Sequence, residues 1–161
     1  MMKFDYDKVK DPCYFRDGRL DAHSDHAYYA SRADLLAGKS EYTESLNGVW
    51  KFHYAKNYQA AVPGFEKPEY CCADWDDIRV PAHIQMEGYD VPQYANTQYP
   101  WEGREDIRPG EIPEHFNPVA SYVKYFTVPE RMQGKRLFIS FQGAAVSYTH
   151  LRAHETLRHL L

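Results

Sequence analysis

The clearest pattern in the chain is an alternation of apolar and polar residues with the period of a β-strand. After Val49, aromatic side chains at positions 50, 52 and 54 alternate with Lys51 and His53. A period of two predicts a strand with one face buried and one face half-exposed. The same reasoning predicts further strands at residues 78–80, 122–128 and 137–141, with a turn at 133–135.

One short helix is predicted, at residues 32–37. Ser31 followed by Asp34 resembles a capping box, with Asp in place of Glu or Gln, and Gly38 is a typical helix stop. Leu35 and Leu36 supply its apolar positions. The rest of residues 1–45 has no sustained period, so we interpret this part as an irregular arm.

Residues 81–118 are predicted to form a long ordered excursion. They hold more than half of the ten prolines of the chain, which excludes a long helix or a central strand. Long irregular segments in compact domains are usually functional or disordered. The tyrosines and Trp101 favour order, and residues 102–108 form its exposed, charged part. Short strands with turns and little helix together predict an all-β sandwich.

Composition excludes several classes of function. The 161 residues carry a formal net charge of -4, and the pI near 6.0 argues against a nucleic-acid partner. The first twelve residues lack an apolar run, so we expect no secretory signal, and no stretch is long enough to span a membrane. Three cysteines, two of them adjacent at Cys71 and Cys72, predict free thiols and a cytoplasmic location.

Four sequence phrases, in order over roughly a hundred residues, resemble the amino-terminal sugar-binding domain of bacterial β-galactosidases of glycoside hydrolase family 2. They are Ser45–Phe52, Ile78–Tyr89, Pro92–Pro100, and Asn117–Pro118 followed by Phe126–Pro129.

The resemblance implies an incomplete jelly-roll β-sandwich of the galactose-binding type, occupying residues 46–145. It also implies a parent enzyme that removes terminal non-reducing β-D-galactose by the retaining mechanism, with both catalytic glutamates on a later barrel. We therefore assign no catalytic residue to this chain. Magnesium, often sodium, and a homo-oligomeric assembly are implied for the intact enzyme, with no metal bound by this fragment. The alternative is a carbohydrate-binding module, or a family 2 glycosidase of other sugar specificity.

Asn96 is the one substrate-binding residue that the resemblance implies. In the family, the asparagine of the Tyr-x-Asn-x-x-Tyr-Pro phrase contacts the bound galactoside. An amide both donates to and accepts from sugar hydroxyls, which suits that role. The alternative is a turn asparagine that bonds its own backbone.

Other polar residues are interpreted as structural. His83 and Gln85 are expected to fix their loop by hydrogen bonds, and Trp101 to fill a local apolar pocket. His23 and His26 could share a metal but are expected to be solvated. The acidic residues of the loops are expected to be solvated surface charge; they are Asp74, Asp76, Asp77, Glu102, Glu105 and Asp106.

Residues 146–161 depart from the family pattern. The run Val146–Thr156 is what a transposase library adaptor encodes when translated in frame, so we expect these residues to be non-native. His150 and His154 have the spacing of a zinc pair, but we expect no metal there for the same reason. On this interpretation the natural sequence breaks at about Ala145, and the fragment is expected to be inactive and not to fold as a stable monomer.

Overall fold

The computed structural model of the chain describes residues 6–14, 20–21, 26–91, 102–108 and 110–141. By backbone contacts the chain divides into two compact units. The first unit comprises residues 1–15 and 47–125, and the second comprises 16–46 and 126–161. The predicted boundaries at 45 and 145 stay a prediction.

The first unit is built on an open, three-stranded antiparallel sheet. Its strands are β1 (Gly48–Ala55), β2 (Asp76–Val80) and β3 (Val119–Val123), in the order β2-β1-β3. β2 pairs with the first part of β1, from Gly48 to Phe52, and β3 pairs with the last part, from Lys51 to Ala55. The described residues contain strands and very little helix, so the all-β prediction is confirmed, consistent with a jelly-roll fragment.

Phe52 lies at the centre of one face of this sheet, the face that Tyr89 and Tyr122 cover. It is 1% exposed, and Ile78 of β2, which pairs with Trp50, is 2% exposed. The ring of Tyr122 on β3 packs edge-on against Phe52, with centroids 4.9 Å apart, and Tyr89 packs at 4.5 Å from the loop that follows β2. Burying side chains of this size stabilises the fold by about 1.5–3 kcal/mol each. The period of two in the sequence therefore identified a true core strand.

The opposite face is covered by Trp75, which immediately precedes β2. Its ring lies 5.3 Å from the His53 ring and 5.4 Å from the Phe65 ring. Lys51 reaches over this face to the Asp77 carboxylate at 2.9 Å, and donates to the Trp75 carbonyl at 3.2 Å. Both faces of β1 are thus covered in part, whereas the pattern alone predicted one buried face.

Two predicted strand boundaries are wrong. β3 begins earlier than predicted and ends at Val123 instead of Val128. The next side chain, Lys124, donates to the Val49 carbonyl at 2.8 Å, where a longer β3 would have continued the ladder. Residues 137–141 form no strand, because they have no partner strand among the described residues.

The predicted helix is confirmed at the predicted residues. α1 spans Arg32–Ala37 in the second unit; the Ser31 hydroxyl accepts from the Asp34 amide at 3.1 Å, and Gly38 is left-handed with φ of 65°. None of its residues is buried, so it is a surface helix as expected. Nearby, Arg131 pairs with the Glu44 carboxylate and donates to the Glu41 carbonyl.

Short 3-10 turns are the remaining regular elements. They lie at Tyr6–Lys10, Tyr58–Ala60, Ile84–Glu87 and Glu130–Met132. The described parts of residues 81–118 contain no strand or α-helix, as predicted from their prolines. No helix in the described ranges is long and apolar enough to cross a membrane.

Candidate functional site

The predicted substrate contact, Asn96, lies outside the described residues, as do Trp101, His23, His150 and His154. The structure does describe both flanks of residues 92–101, namely the loop that ends at Val91 and the loop that begins at Glu102. These flanks, together with a cleft beside Tyr89, form the candidate site.

Tyr89 anchors the first flank to the sheet. Its ring packs on Phe52, and its hydroxyl donates to the Asp76 carboxylate at 2.8 Å. Burial and this hydrogen bond to a carboxylate raise the pKa of Tyr89 to about 12, since a tyrosinate could no longer donate and would be repelled. The tyrosine is therefore held as a neutral donor.

The next residue, Asp90, has a left-handed backbone with φ of 57°. Its carboxylate accepts from the Val91 amide at 2.8 Å, a local bond that helps Asp tolerate this conformation. Burial, followed by the charge of Asp90, raises the pKa of Tyr54 on β1. The chain thus turns sharply beside β1 just before residue 92.

Glu105 organises the second flank. One of its carboxylate oxygens accepts the backbone amides of His115 and Phe116, and the other accepts that of Glu114, all at 2.8 Å. Desolvation alone would raise the pKa of Glu105, but the three amide donors together outweigh it and hold the pKa below its usual value. This contact, called the Glu105 clamp below, holds residue 105 next to residues 114–116.

Two further contacts fix the clamped loop. The Arg104 guanidinium lies 3.6 Å from the centroid of the Phe116 ring, a cation–π contact. The Asn117 amide donates to the Lys56 carbonyl at 3.0 Å, directly after β1. The loop that follows residues 92–101 is therefore tied both to itself and to the end of the central strand.

A cleft of about 280 Å³ opens between β1 and the start of β2. Its lining combines four aromatic rings, two carboxylates and one imidazole; these belong to Phe52, His53, Tyr54, Asp74, Trp75, Asp76 and Tyr89. Among the described residues, nothing bonds to the Nδ1 atom of His53, although that atom is buried. A buried polar atom of this kind usually has a partner, from the protein or from a bound molecule.

The prediction that the loop carboxylates are solvated surface charge is confirmed for the exposed Asp74, Asp76, Asp77, Glu102 and Asp106, although two of them also have partners, and it is wrong for Glu105, which is only partly exposed. Glu105 clamps three amides, Asp76 accepts from Tyr89, and Asp77 pairs with Lys51. The sequence could not reveal the Glu105 clamp, because its partners are backbone amides that carry no residue-type signal.

The remaining sequence-based candidates have weaker support. His83 is exposed, and no hydrogen bond of the His83 or Gln85 side chain is found within the described ranges; instead, the His83 carbonyl accepts from the Met86 amide at 2.9 Å. His26 is exposed, and the described part of the chain holds no group of three or more potential metal ligands. The cysteines are free as predicted, with Cys72 buried and Cys13 and Cys71 exposed.

Comparison with known proteins finds matches over most of this chain. The family model for the sugar binding domain of glycosyl hydrolases family 2 matches residues 43–155. A β-galactosidase of Streptococcus thermophilus is 45% identical over 139 residues, covering 86% of this chain and 14% of that protein. A β-galactosidase of Halalkalibacterium halodurans is 49% identical over 144 residues, covering 87% of this chain and 14% of that protein.

A third relative, the β-galactosidase large subunit of Latilactobacillus sakei, is 38% identical over 144 residues, covering 82% of this chain and 23% of that protein. This chain therefore spans only a small part of the length of the curated relatives it matches. The family match also runs past residue 145, and the non-native origin of residues 146–161, which lie outside the described ranges, stays a prediction.

The raised pKa of Tyr89 gives a pH prediction. Between pH 10 and about 12 the native state holds the Tyr89 proton more tightly than the unfolded chain, whose value is near 10.0. This contribution to stability is complete below pH 10 and is lost as the pH rises towards 12. A tyrosinate absorbance titration of the folded full-length parent protein, taken as the difference from Tyr89→Phe, should isolate this late ionisation. Asp76→Asn should lower the midpoint of the Tyr89 titration towards 10. An unchanged midpoint in this variant would contradict the role of Asp76 in raising the pKa of Tyr89.

The Glu105 clamp gives a prediction on local stability. In Glu105→Gln only one side-chain oxygen remains as an acceptor, so at least one of the amides at 114–116 loses its partner. In the full-length parent protein, hydrogen exchange of these amides should become faster in Glu105→Gln, whereas Glu102→Gln, a change at an exposed neighbour, should leave their exchange unaltered. In the wild type the contribution is present above pH 4.5 and lost as the pH falls through the lowered pKa of Glu105. Equal exchange in both variants would disprove the clamp.

Proposed function

The chain belongs to glycosyl hydrolase family 2, and we propose that the protein containing it is a β-galactosidase that hydrolyses terminal non-reducing β-D-galactose residues of β-galactosides. One observation carries the proposal: relatives named β-galactosidase are 45% and 49% identical across 86% and 87% of this chain. Because the chain spans only 14% of those two proteins, the activity belongs to the proposed parent protein and not to this segment alone.

In this proposal the chain supplies substrate contact while the bond-breaking groups lie elsewhere in the parent. A retaining glycosidase needs two carboxyl groups about 5 Å apart, one as acid and one as nucleophile. None of the described carboxylates is assigned to either role, and Glu105 and Asp76 are already engaged in hydrogen bonds. The proposed catalytic pair therefore consists of glutamates outside this chain.

Asn96 is the proposed substrate-binding residue. Its amide can donate to one galactose hydroxyl and accept from another. The described flanks support this role, because Tyr89 holds the chain on the sheet seven residues before Asn96 and the Glu105 clamp closes the loop nine residues after it. A contact residue that is flanked by fixed backbone loses less conformational entropy when the substrate binds.

Magnesium and sodium are proposed for the intact enzyme only. The described residues do not fit a metal site, because they bring together no group of three or more His, Cys, Asp or Glu side chains. We therefore assign this chain no role that requires a bound metal ion.

The proposed partners are a β-galactoside substrate and further copies of the parent chain, in the cytoplasm. Relatives in Latilactobacillus sakei and Leuconostoc lactis are named β-galactosidase large subunit, which supports assembly from several chains. The negative net charge of -4 supports the proposal that nucleic acid is not a partner.

A second candidate function is sugar binding without hydrolysis, or hydrolysis of another glycoside. The description of the matched family model as a sugar binding domain supports binding without naming the sugar. Comparing β-galactoside, β-glucoside and β-glucuronide substrates discriminates these functions.

The proposal predicts that the full-length parent protein hydrolyses β-galactosides in preference to the other two substrates. Asn96→Ala should lower its kcat/KM by roughly tenfold or more, because losing one or two hydrogen bonds to the sugar costs about 1–3 kcal/mol. An unchanged melting temperature shows that the variant is folded. An unchanged kcat/KM in Asn96→Ala would show that this asparagine has a turn role and does not bind the substrate. Absence of galactoside hydrolysis by the full-length parent protein would refute the proposed enzyme activity.

A further inference from the structure

The end of β1 holds the first described flank of residues 92–101. The Tyr89 ring lies 4.5 Å from the Phe52 ring and 6.3 Å from the Tyr54 ring, measured between centroids. The next residue, Asp90, turns the chain with a left-handed backbone. The chain therefore enters this segment beside the last residues of β1.

The second flank returns to the same end of β1 through residues 115–117. The Asn117 amide donates to the Lys56 carbonyl at 3.0 Å, one residue after β1. The Asn57 side-chain amide donates to the His115 carbonyl at 3.5 Å. Successive residues of an extended chain advance by only about 3.3 Å, so the points at which β1 holds the two flanks are close together.

The Glu105 clamp connects the start of the second flank to this point. The three amides that its carboxylate accepts, at residues 114–116, lie nine to eleven positions further along the chain. The guanidinium of the preceding residue, Arg104, lies 3.6 Å from the centroid of the Phe116 ring. Because residues 115–117 are tied to the end of β1, the clamp holds residues 104 and 105 near it as well.

The electrostatic surroundings of Tyr54 agree with this arrangement. Burial and then the charge of Asp90 raise the pKa of the Tyr54 hydroxyl, and the charge of Arg104 opposes them. Asp90 precedes residues 92–101, whereas Arg104 follows them. Since a charge shifts the pKa of another group appreciably only at short range, one tyrosine near the end of β1 lies close to both flanks.

We propose that Glu105 is a positioning residue for the galactoside contact of Asn96, because its clamp fixes one end of the segment that carries this asparagine. The inference rests on the proposed function and adds a residue that acts through another, since the Glu105 oxygens already accept backbone amides. A segment held at both ends loses less conformational entropy when a ligand orders it. Loss of the clamp should therefore weaken sugar binding through Asn96.

The test is a double-mutant cycle in the full-length parent protein. Equilibrium dialysis with labelled methyl β-thiogalactoside, which resists hydrolysis, measures the Kd of the wild type, Glu105→Ala, Asn96→Ala and the double variant. Glu105→Gln keeps one acceptor oxygen and replaces Glu105→Ala if the latter does not fold. The matched control is Asp106→Asn, which removes the same charge at the exposed next residue. A cooperative melt confirms that each variant is folded.

We expect Glu105→Ala to weaken binding about fivefold and Glu105→Gln to weaken it less, whereas Asp106→Asn should leave the Kd unchanged. When Asn96 is already alanine, Glu105→Ala should weaken binding by less than about twofold, because the contact that it positions is absent. A merely structural role would give equal factors with and without Asn96. Equal factors, or an unchanged Kd in Glu105→Ala, would overturn the inference.

Hydrolysis of a β-galactoside is measured separately on the same proteins. A parent protein that shows the expected cycle but does not hydrolyse the substrate would refute the proposed activity and still support positioning by Glu105. A parent protein that hydrolyses the substrate but shows independent effects of Asn96 and Glu105 on the Kd would overturn the inference alone. Absence of thiogalactoside binding, or an unchanged Kd in Asn96→Ala, would also overturn it, because Asn96 would then have no contact to position.

Discussion

The packing of Phe52 is the constraint on which the first unit depends. This side chain stands at the middle of the central strand. Its residue pairs with Asp76 of β2 and with Tyr122 of β3, and the rings of Tyr122 and of Tyr89, from the loop after β2, pack against it. Nonlocal contacts of this kind decide which strands become neighbours. The sheet order β2-β1-β3 places one contributor on each side of Phe52 and one above it.

The packing on Phe52 determines part of the geometry of the candidate site. Because Tyr89 is fixed on Phe52, its hydroxyl reaches the carboxylate of Asp76, the first residue of β2. Both residues line the cleft between β1 and the start of β2. The other flank is fixed by a different kind of contact, the Glu105 carboxylate with its three backbone amides, and by the tie between Asn117 and Lys56. Apolar packing and a polar clamp thus hold opposite ends of the segment that carries Asn96.

The sequence predicted the features that depend on local pattern. The helix cap at Ser31 and stop at Gly38, the strand through Phe52 and the irregular course after Pro81 all follow from short-range rules, and the structure agrees with them. The predictions failed where long-range partners decide. Residues 137–141 alternate like a strand but have no described neighbour, and β3 shifted because pairing with β1, not its own periodicity, sets its ends. Glu105 resembled a surface charge because its backbone partners leave no trace in the sequence.

Hydrogen exchange of the full-length parent protein carrying Phe52→Ala tests the central role of this packing most directly. Removing a buried Phe ring costs about 3–5 kcal/mol, so the amides of β2 and of residues 84–91 should exchange much faster together. Val49→Ala, on the same strand but 60% exposed, should leave them protected. Equal protection in the two variants would show that the site-bearing loop is held by something other than Phe52, and would contradict the account.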